Sequence, residues 1–358
     1  MNTPSYIPLI DRYIREGGFS GGAVAVAQHG QMVIEHYAGW AAPNLPASPD
    51  VLWPLASISK LYSVAMVMRI VEQGHLTLNT LVSHVIPQFT GEGREEVRLR
   101  HLLTHTSGLI YESPEMEARL IAQTPRAALV EEAFSAPLQF KAGTSMVYAD
   151  YNTLLAGHMA EVVMGKSFAD LVQKWVIGPM KLSNTFMPPP PSEYGRIAKV
   201  ANVMAEGSAG AMYNSPYALS LAHPAFGTVA TVRDLIQFGQ HFAPGGPRIH
   251  SPLTVRAMTS DQTGGVFGKH VAVDGLGPNT FMPWGLGFML QTPAVPSMLC
   301  DLASNSSFGH GGASGCQLLI DPENEVVACV VSNNHVRIGR ERWRVRLQSM
   351  LNSALATL

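Results

Sequence analysis

Ser57-Ile58-Ser59-Lys60 stands directly before an apolar run, Leu61 to Val71. Residues three apart on a helix are neighbours, with Cβ atoms about 5–6 Å apart, so the Lys60 amine can reach the Ser57 hydroxyl. Pro54 before the stretch and helix formers after it predict a helix that begins at or near Ser57. The free N–H groups and the positive dipole end of such a helix favour negative charge that develops at this serine.

Two later motifs carry groups that suit the same chemistry. Tyr148-Ala149-Asp150 contains a tyrosine that can act as a general base if a cation such as Lys60 lowers its pKa. His310-Gly311-Gly312-Ala313-Ser314-Gly315 precedes a predicted strand, where glycines admit a substrate close to the backbone and an edge N–H can donate to an oxyanion. Taken singly, the three motifs also fit a helix cap with a solvated lysine, a core tyrosine and a Gly-rich turn.

The composition is that of a globular protein. Hydrophobic residues make up 46% of the 358 residues and charged residues 14%, with a formal net charge of -2, which excludes a disordered or fibrous chain. The longest basic stretch, Arg337 to Arg344, opens an apolar pattern at three-to-four spacing, so we interpret it as the wetted face of a C-terminal amphipathic helix. We therefore expect no nucleic-acid partner.

The N-terminal segment and the cysteines favour the cytoplasm. Isoleucines share one helical face between residues 7 and 14, with charged residues between them, so we expect neither a secretory signal nor a membrane span there. The three cysteines, Cys300, Cys316 and Cys329, form no CxxC pair and leave one unpaired in any disulfide scheme. This count fits a reducing compartment, and we expect a cytoplasmic protein without a membrane partner.

Strand patterns occur at both ends of the chain, and a helical, loop-rich pattern lies between them. Two hairpins are predicted, with strands at residues 22–27, 32–37, 317–320 and 325–331. We predict an α/β (α+β) fold with one antiparallel sheet flanked by helices, formed by a discontinuous domain of residues 1–75 and 223–358. A mainly helical domain, residues 76–222, is inserted into it, and the active site is expected in the cleft between the two.

The three motifs, in this order and at these separations, resemble the serine β-lactamase and penicillin-binding-protein superfamily. Within it the chain is most similar to the class C β-lactamases and their carboxylesterase relatives, the family VIII esterases. Four further stretches extend the resemblance over nearly the whole chain: His101 to Leu109, Pro224 to Asp234, Trp284 to Phe288 and Gly309 to Gly315.

The resemblance implies a role for each motif residue. Ser57 is the expected acyl-accepting nucleophile, Lys60 assists its deprotonation, and Tyr148 carries the proton from Ser57 to the leaving group. The oxyanion hole is expected to consist of the backbone N–H groups of Ser57 and Ala313. The fold and this chemistry imply no cofactor and no metal ion.

The third motif departs from the superfamily pattern, which has a lysine followed by Thr or Ser and Gly. That lysine and hydroxyl grip a substrate carboxylate, whereas His310 and Gly311 offer a mostly neutral ring and no hydroxyl. Together with Gly312 they are expected to line the substrate site. Recognition of a carboxylate is expected to be weaker, which favours neutral esters.

The second motif departs at Asp150, where the superfamily usually has asparagine. An ionised carboxylate only accepts hydrogen bonds, so this residue is not expected to hold an acylamide chain as an amide does. Two roles stay open: Asp150 can bind an ammonium group of the substrate, or it can hold Lys60 as a cation beside Tyr148. In the second case Lys60 cannot act as the base, and that role passes to Tyr148.

The sequence also contains a possible zinc pair and two alternative serine nucleophiles. His101 and His105 have the i, i+4 spacing of a zinc pair, but no glutamate stands beside His101 and no third ligand is suggested. We interpret their stretch as a helix end and turn beneath the cleft. Ser107 and Ser314 are alternative nucleophiles, but neither is followed by a lysine or histidine at helical spacing, and the absence of a Gly-x-Ser-x-Gly motif argues against an α/β-hydrolase.

The sequence thus predicts a serine hydrolase that forms an acyl-enzyme on Ser57 and acts on a small-molecule ester or amide. A carboxylesterase for small neutral esters is the first hypothesis. The alternatives are an amidase or D-amino-acid peptidase, a weak β-lactamase, an acyltransferase, and a non-catalytic relative that kept the fold.

Overall fold

The structure, a computed structural model, describes residues 4–200, 214–269, 280–281, 283–292, 299–335 and 340–358. Its strands are β1 (Gly21–Gln28), β2 (Gln31–Ala42), β3 (Leu45–Pro46), β4 (Trp53–Pro54), β5 (Met146–Val147), β6 (Thr185–Phe186), β7 (Val229–Ala230), β8 (Phe267–Lys269), β9 (Thr280–Phe281), β10 (Met289–Leu290), β11 (Phe308–Gly312), β12 (Cys316–Asp321) and β13 (Val326–Ser332). Among the described residues, the large antiparallel sheet has the order β10-β11-β12-β13-β1-β2-β3. Two three-stranded sheets, β4-β7-β6 and β5-β8-β9, accompany it.

The helices alternate with long connections. They are α1 (Tyr6–Arg15), α2 (Ser59–Glu72), α3 (Val82–Val85), α4 (Leu99–Leu103), α5 (Met116–Ile121), α6 (Arg126–Ala133), α7 (Asp150–Met164), α8 (Phe168–Val172), α9 (Pro216–Ser220), α10 (Val232–Gln240), α11 (Pro252–Met258) and α12 (Arg340–Leu355). None of them, within the described ranges, has the length and apolar character needed to cross a membrane.

Both ends of the chain contribute to the large sheet, as the sequence predicts. The hairpins β1-β2 and β12-β13 form, and the central pair joins β1 to β13 with Gly22 opposite Ser332. The six helices α3 to α8 lie between residues 76 and 200, where a helical segment is predicted. The boundaries of two domains at residues 75 and 222 stay a prediction.

The sheet has a hydrophobic core on each face because its central strands are buried on both sides. Alternate residues of β1 and β13 face opposite ways: Ala25 and Cys329 pack in the core around α2 and α10, while Val24 and Val330 pack in a second core with α1 and α12. Leu347, Met350, Leu351 and Ala354 bury one side of α12. Residues 337–339 and the side chains of 340–344 lie outside the described residues, so the wetted basic face stays a prediction.

The helix α2 is enclosed by the protein along almost its whole length, and its C-terminal end packs against a buried histidine. The carboxylate of Glu72 accepts a hydrogen bond from the Ser251 N–H at 2.8 Å, pairs with Arg69, and lies 3.4 Å from Nδ1 of His250. Burial disfavours the charged imidazole and lowers the pKa of His250 to about 4, although Glu72 opposes this shift. His250 is therefore neutral in the folded protein at neutral pH.

This histidine makes the folded state acid-sensitive. Between pH 6.5 and 4 the unfolded chain binds a proton at residue 250 that the folded protein does not, so the free energy of unfolding falls as the pH falls through this window. From pH 7.5 to pH 5 the expected loss from His250 is about 2 kcal/mol. Urea unfolding at the two pH values should show that His250→Gln loses less stability than the wild type.

The matched control is His75→Gln in the exposed turn that follows α2. It should keep the wild-type difference between the two pH values. An unchanged difference in His250→Gln would show that this histidine does not couple protonation to folding.

Candidate active site

Ser57 lies on a short 3-10 turn, Ala56–Ile58, that leads directly into α2. The preceding residue, Ala56, has a left-handed backbone with φ of 44°, an uncommon conformation for a residue with a side chain. Leu55, directly before the turn, donates its N–H to the carbonyl of Thr228, directly before β7. Ser57 is partly exposed while its neighbours on both sides are buried. The turn thus presents one hydroxyl at the surface of the core.

Lys60 is buried below this hydroxyl with its amine surrounded by acceptors. Its Nζ lies 3.1 Å from Ser57 Oγ, 3.1 Å from the carbonyl oxygen of Ala225 and 2.7 Å from Oδ1 of Asp150. Both members of the ion pair are buried, with 1% of the lysine and 8% of the aspartate side chain exposed. Burial alone would lower the pKa of Lys60, but the interactions of the amine with Asp150 and Tyr148 together outweigh it and hold the pKa above its ordinary value. The amine is therefore an ammonium group at neutral pH.

Tyr148 stands at the junction of β5 and α7, beside this pair. Its hydroxyl interacts with the side chains of Ser57 and Lys60, and Lys60 Nζ lies 4.8 Å from its ring centroid. Contrary to the expectation of a lowered pKa, burial raises the pKa of Tyr148, and the charge of Lys60 counteracts this only in part. Tyr148 therefore rests as a neutral phenol rather than as a preformed base.

The third motif lies next to the Ser57 turn, where residues 310–312 of β11 extend past the two residues paired with β10 and form a local edge of the large sheet. Gly312, the last residue of β11, lies so close to the turn that a Cβ built on it would stand 2.2 Å from the carbonyl oxygen of Leu55. The hydroxyl of Ser314 donates a hydrogen bond to the carbonyl of Pro54. Ala313, between them, is partly exposed like Ser57. These contacts bring the two residues of the predicted oxyanion hole to the same edge of the sheet.

His310 is buried in β11. Its Nδ1 donates to the carbonyl oxygen of Gly311 at 2.6 Å, which leaves Nε2 as the acceptor of the neutral ring. The ring centroid lies 5.9 Å from that of Tyr148 and 5.7 Å from that of Trp284. Gly311 is open: a Cβ built on it would meet nothing nearer than 3.9 Å.

The alternative residues are bound into the structure in other ways. Ser107 is fully buried and donates to the amide oxygen of Asn152. The helix α4 ends at Leu103, so His101 and His105 do not share a helical face. His101 accepts the N–H of Arg98, and His105 accepts the N–H of Ala149. Within the described parts of the chain, no three metal-ligating side chains are grouped together.

Two groups of the site carry no signal that a motif search detects. The carbonyl of Ala225 binds the Lys60 ammonium, but any residue supplies a carbonyl. His105 packs under Tyr148 with ring centroids 4.5 Å apart, although its stretch in the sequence indicates only a helix end and a turn. The repeated histidines of this stretch were the available hint.

The family model described as Beta-lactamase matches residues 8–350, so the chain belongs to the Beta-lactamase family. It is 27% identical over 201 residues to an N-acetylmuramyl-L-alanine amidase of Bacillus subtilis (strain 168), and 36% identical over 109 residues to the esterase EstB of Burkholderia gladioli. These matches cover 51% and 29% of this chain, but only 45% of the amidase and 28% of the esterase.

The fold is found in known hydrolases. The solved structure titled "EstCE1, a hydrolase with promiscuous acyltransferase activity" superposes with a TM-score of 0.79 at 21% identity, over 97% of each chain. A structure described as a family VIII carboxylesterase gives a TM-score of 0.75 at 22% identity, over 96% of each chain. The mixed architecture of helices and antiparallel sheet is thus β-lactamase-like, as predicted.

Proposed function

We propose that the protein is a serine hydrolase that forms an acyl-enzyme on Ser57 and acts as a carboxylesterase on small neutral esters. The observation that carries the proposal is the cluster of Ser57, Lys60, Tyr148 and Asp150. It places a partly exposed hydroxyl 3.1 Å from a buried ammonium group and beside a phenol. This is the arrangement of a nucleophile with its proton-transfer partner.

Acylation needs a proton to leave Ser57 and another to reach the leaving group. Because Tyr148 rests as a phenol and Lys60 as an ammonium group, neither is a free base. Tyr148 can pass both protons in one step: its oxygen takes the Ser57 proton while its own hydroxyl proton moves to the alcohol oxygen of the ester. The nearby ammonium stabilises negative charge on the phenol oxygen during this transfer. Water then attacks the acyl-enzyme: Tyr148 takes a proton from the water while its own hydroxyl proton returns to Ser57.

The backbone N–H groups of Ser57 and Ala313 would receive the oxyanion. Both residues are partly exposed at the sheet edge, and Gly312 allows that edge to lie against the Ser57 turn. Fixed N–H donors aimed at developing charge are a large part of the rate enhancement in acyl transfer.

The charges of the site favour a neutral substrate. The ammonium of Lys60 is already balanced by Asp150 at 2.7 Å, which leaves Asp150 to hold Lys60 rather than to bind an amine of the substrate. His310 and Gly311 supply neither the cation nor the hydroxyl that would grip a carboxylate. The printed names of EstB and the family VIII carboxylesterase support an ester substrate. All three cysteines are free thiols, which supports a cytoplasmic location.

An amidase or peptidase is the second candidate, because the matched relative of Bacillus subtilis is named as an amidase. A panel of p-nitrophenyl esters, amino-acid p-nitroanilides and nitrocefin separates these candidates. Turnover of the anilides above that of the esters would favour the second candidate. Failure of a fluorophosphonate to label the protein would indicate a non-catalytic relative.

Ser57→Ala should abolish both turnover and covalent labelling. The loss in kcat is expected to be on the order of 10⁴-fold or more, because a nucleophile and its proton-transfer partners act as a unit. Mass spectrometry of the fluorophosphonate-treated wild type should locate the adduct on Ser57. Ser314→Ala, which removes a neighbouring hydroxyl bound to Pro54, should still be labelled at Ser57. An adduct on another serine, or near-native turnover by Ser57→Ala, would refute the assignment.

Wild-type protein should hydrolyse p-nitrophenyl butyrate with a higher kcat/KM than nitrocefin, which carries a carboxylate. Gly311→Ser restores a hydroxyl where a Cβ has room, so it should raise the nitrocefin-to-butyrate ratio of kcat/KM about tenfold, as one charge-assisted hydrogen bond would.

The control for this substitution is Gly312→Ser, which adds the same atoms one residue on. There the new Cβ meets the Leu55 carbonyl, so the turnover of both substrates should fall together. A wild-type protein that prefers nitrocefin would overturn the inference from His310.

A further inference from the structure

A single residue, His105, holds the backbone on both sides of Tyr148. Its carbonyl oxygen accepts the N–H of Val147 at 3.0 Å, and its Nδ1 accepts the N–H of Ala149 at 3.2 Å. Its ring also packs against the phenol, with centroids 4.5 Å apart. One side chain and one peptide group thus bind the backbone directly before and directly after Tyr148, and the carbonyl of Tyr111 accepts the N–H of Asp150 one residue further on.

This support matters because Tyr148 has little regular structure around it. The strand β5 before it has two residues, and α7 begins only at Asp150. The tyrosine sits in the connection between them, where neither a long ladder nor a helix fixes the backbone. The position of Tyr148 therefore depends on contacts outside these elements, and His105 supplies two of them, to the N–H groups of the two residues that flank the tyrosine.

The tautomer of His105 is fixed by its buried partners. The hydroxyl of Ser107 donates to the amide oxygen of Asn152, which turns the Asn152 amide nitrogen toward His105 Nδ1 at 3.0 Å. Nδ1 thus accepts from both the Ala149 N–H and the Asn152 amide, so it carries no proton and Nε2 does. These contacts therefore select the tautomer whose Nδ1 can accept the N–H of Ala149.

The backbone of His105 shows that its position is maintained against a local preference. Its φ is 59°, in the left-handed region that residues with a side chain rarely adopt. Such a conformation costs free energy and persists where the surrounding contacts over-determine it. Here the carbonyl, the ring nitrogen and the ring face are all engaged, with the edge of Trp284 completing the packing at 5.1 Å.

We propose that His105 is the positioning residue that holds the Tyr148 hydroxyl against Ser57 and Lys60. The inference rests on the proposed function, in which Tyr148 takes the proton of the Ser57 hydroxyl. His105 acts through Tyr148 and touches neither the substrate nor the reacting bond. Among the described residues, the titratable groups that face the phenol are Lys60 from α2, Asp150 from α7, His105 from the turn after α4, Tyr111 from the loop before α5, and His310 from β11.

The test compares two substitutions of this residue in the full-length protein. His105→Phe keeps a flat ring but removes the acceptor for Ala149, so kcat on p-nitrophenyl butyrate should fall on the order of 10- to 100-fold with little change in KM. His105→Asn offers an oxygen near the Nδ1 position and tolerates a left-handed backbone, so it should recover most of the lost kcat. The basic limb of the pH–kcat profile should shift in His105→Phe and return toward the wild-type position in His105→Asn.

A cycle with Tyr148→Phe separates positioning from general stability. If His105 acts through the tyrosine, His105→Phe should lower kcat in the wild-type background but not further in the Tyr148→Phe background. His101→Phe, in the same segment but away from the phenol, is the control and should leave kcat and the pH profile unchanged. Additive losses in the cycle would overturn the proposal, as would unchanged kcat and pH profile in a folded His105→Phe protein.

Failure of this inference can be told from failure of the proposed function. If wild-type protein labels at Ser57 and hydrolyses esters while His105→Phe matches it, only the role of His105 is wrong. If wild-type protein is not labelled at Ser57, the proposed function itself is wrong.

Discussion

The buried ion pair between Lys60 and Asp150 is the interaction on which the site depends. A lysine amine inside a protein core normally loses its proton, because burial disfavours the charged form. Here the Asp150 carboxylate at 2.7 Å and the Tyr148 side chain together reverse that tendency, and the carbonyl of Ala225 accepts a further hydrogen bond. Removing one partner of such a pair would leave an uncompensated charge in the core, which strongly destabilises the folded state. The fold therefore has to deliver three separate segments to one point.

The architecture explains how this delivery works. The large sheet is built from strands of both chain ends and has a hydrophobic core on each face. The helix α2 lies inside one of these cores. A helix enclosed on nearly every side cannot shift without disturbing its neighbours, so Ser57 and Lys60 are fixed relative to the sheet. Tyr148 and Asp150 come from the helical segment, and the 223–228 loop supplies the carbonyl of Ala225. The glycine at the end of β11 completes the site from the sheet edge.

The charge state of the cluster limits what it can do. An ammonium group and a phenol at rest are not a base, so the chemistry is expected to proceed by a concerted transfer through Tyr148. The same pairing leaves the cluster without a spare cation for a substrate carboxylate, and His310 does not add one in its neutral form. The proposed substrate preference and the proposed proton transfer thus rest on one electrostatic arrangement, and both depend on the carboxylate at position 150.

Much of this could be predicted from the sequence because the decisive residues are close together or sit in distinctive motifs. Ser57 and Lys60 are one helical turn apart, and the two hairpins have clear strand and turn patterns. The proximity of Asp150 to Lys60 was open, since it depends on how α7 packs against α2. The direction of the Tyr148 pKa was wrong, because a sequence shows the nearby lysine but not the depth of burial. The place of His105 under the phenol was missed for another reason: ring packing and a left-handed turn leave no periodic pattern in the sequence.

The proposed chemistry requires that Lys60 is a cation held by Asp150 during ester turnover. Nitrogen-15 NMR of the lysine side chains tests it most directly, since Lys60 is one of seven lysines and its resonance can be assigned with Lys60→Met. The predicted result is an ammonium signal for Lys60 throughout the pH range of ester turnover. Its pKa should lie above the ordinary lysine value and fall in Asp150→Asn. A wild-type Lys60 that titrates near neutral pH, in step with activity, would show that the lysine is the base and that Asp150 does not hold it as a cation.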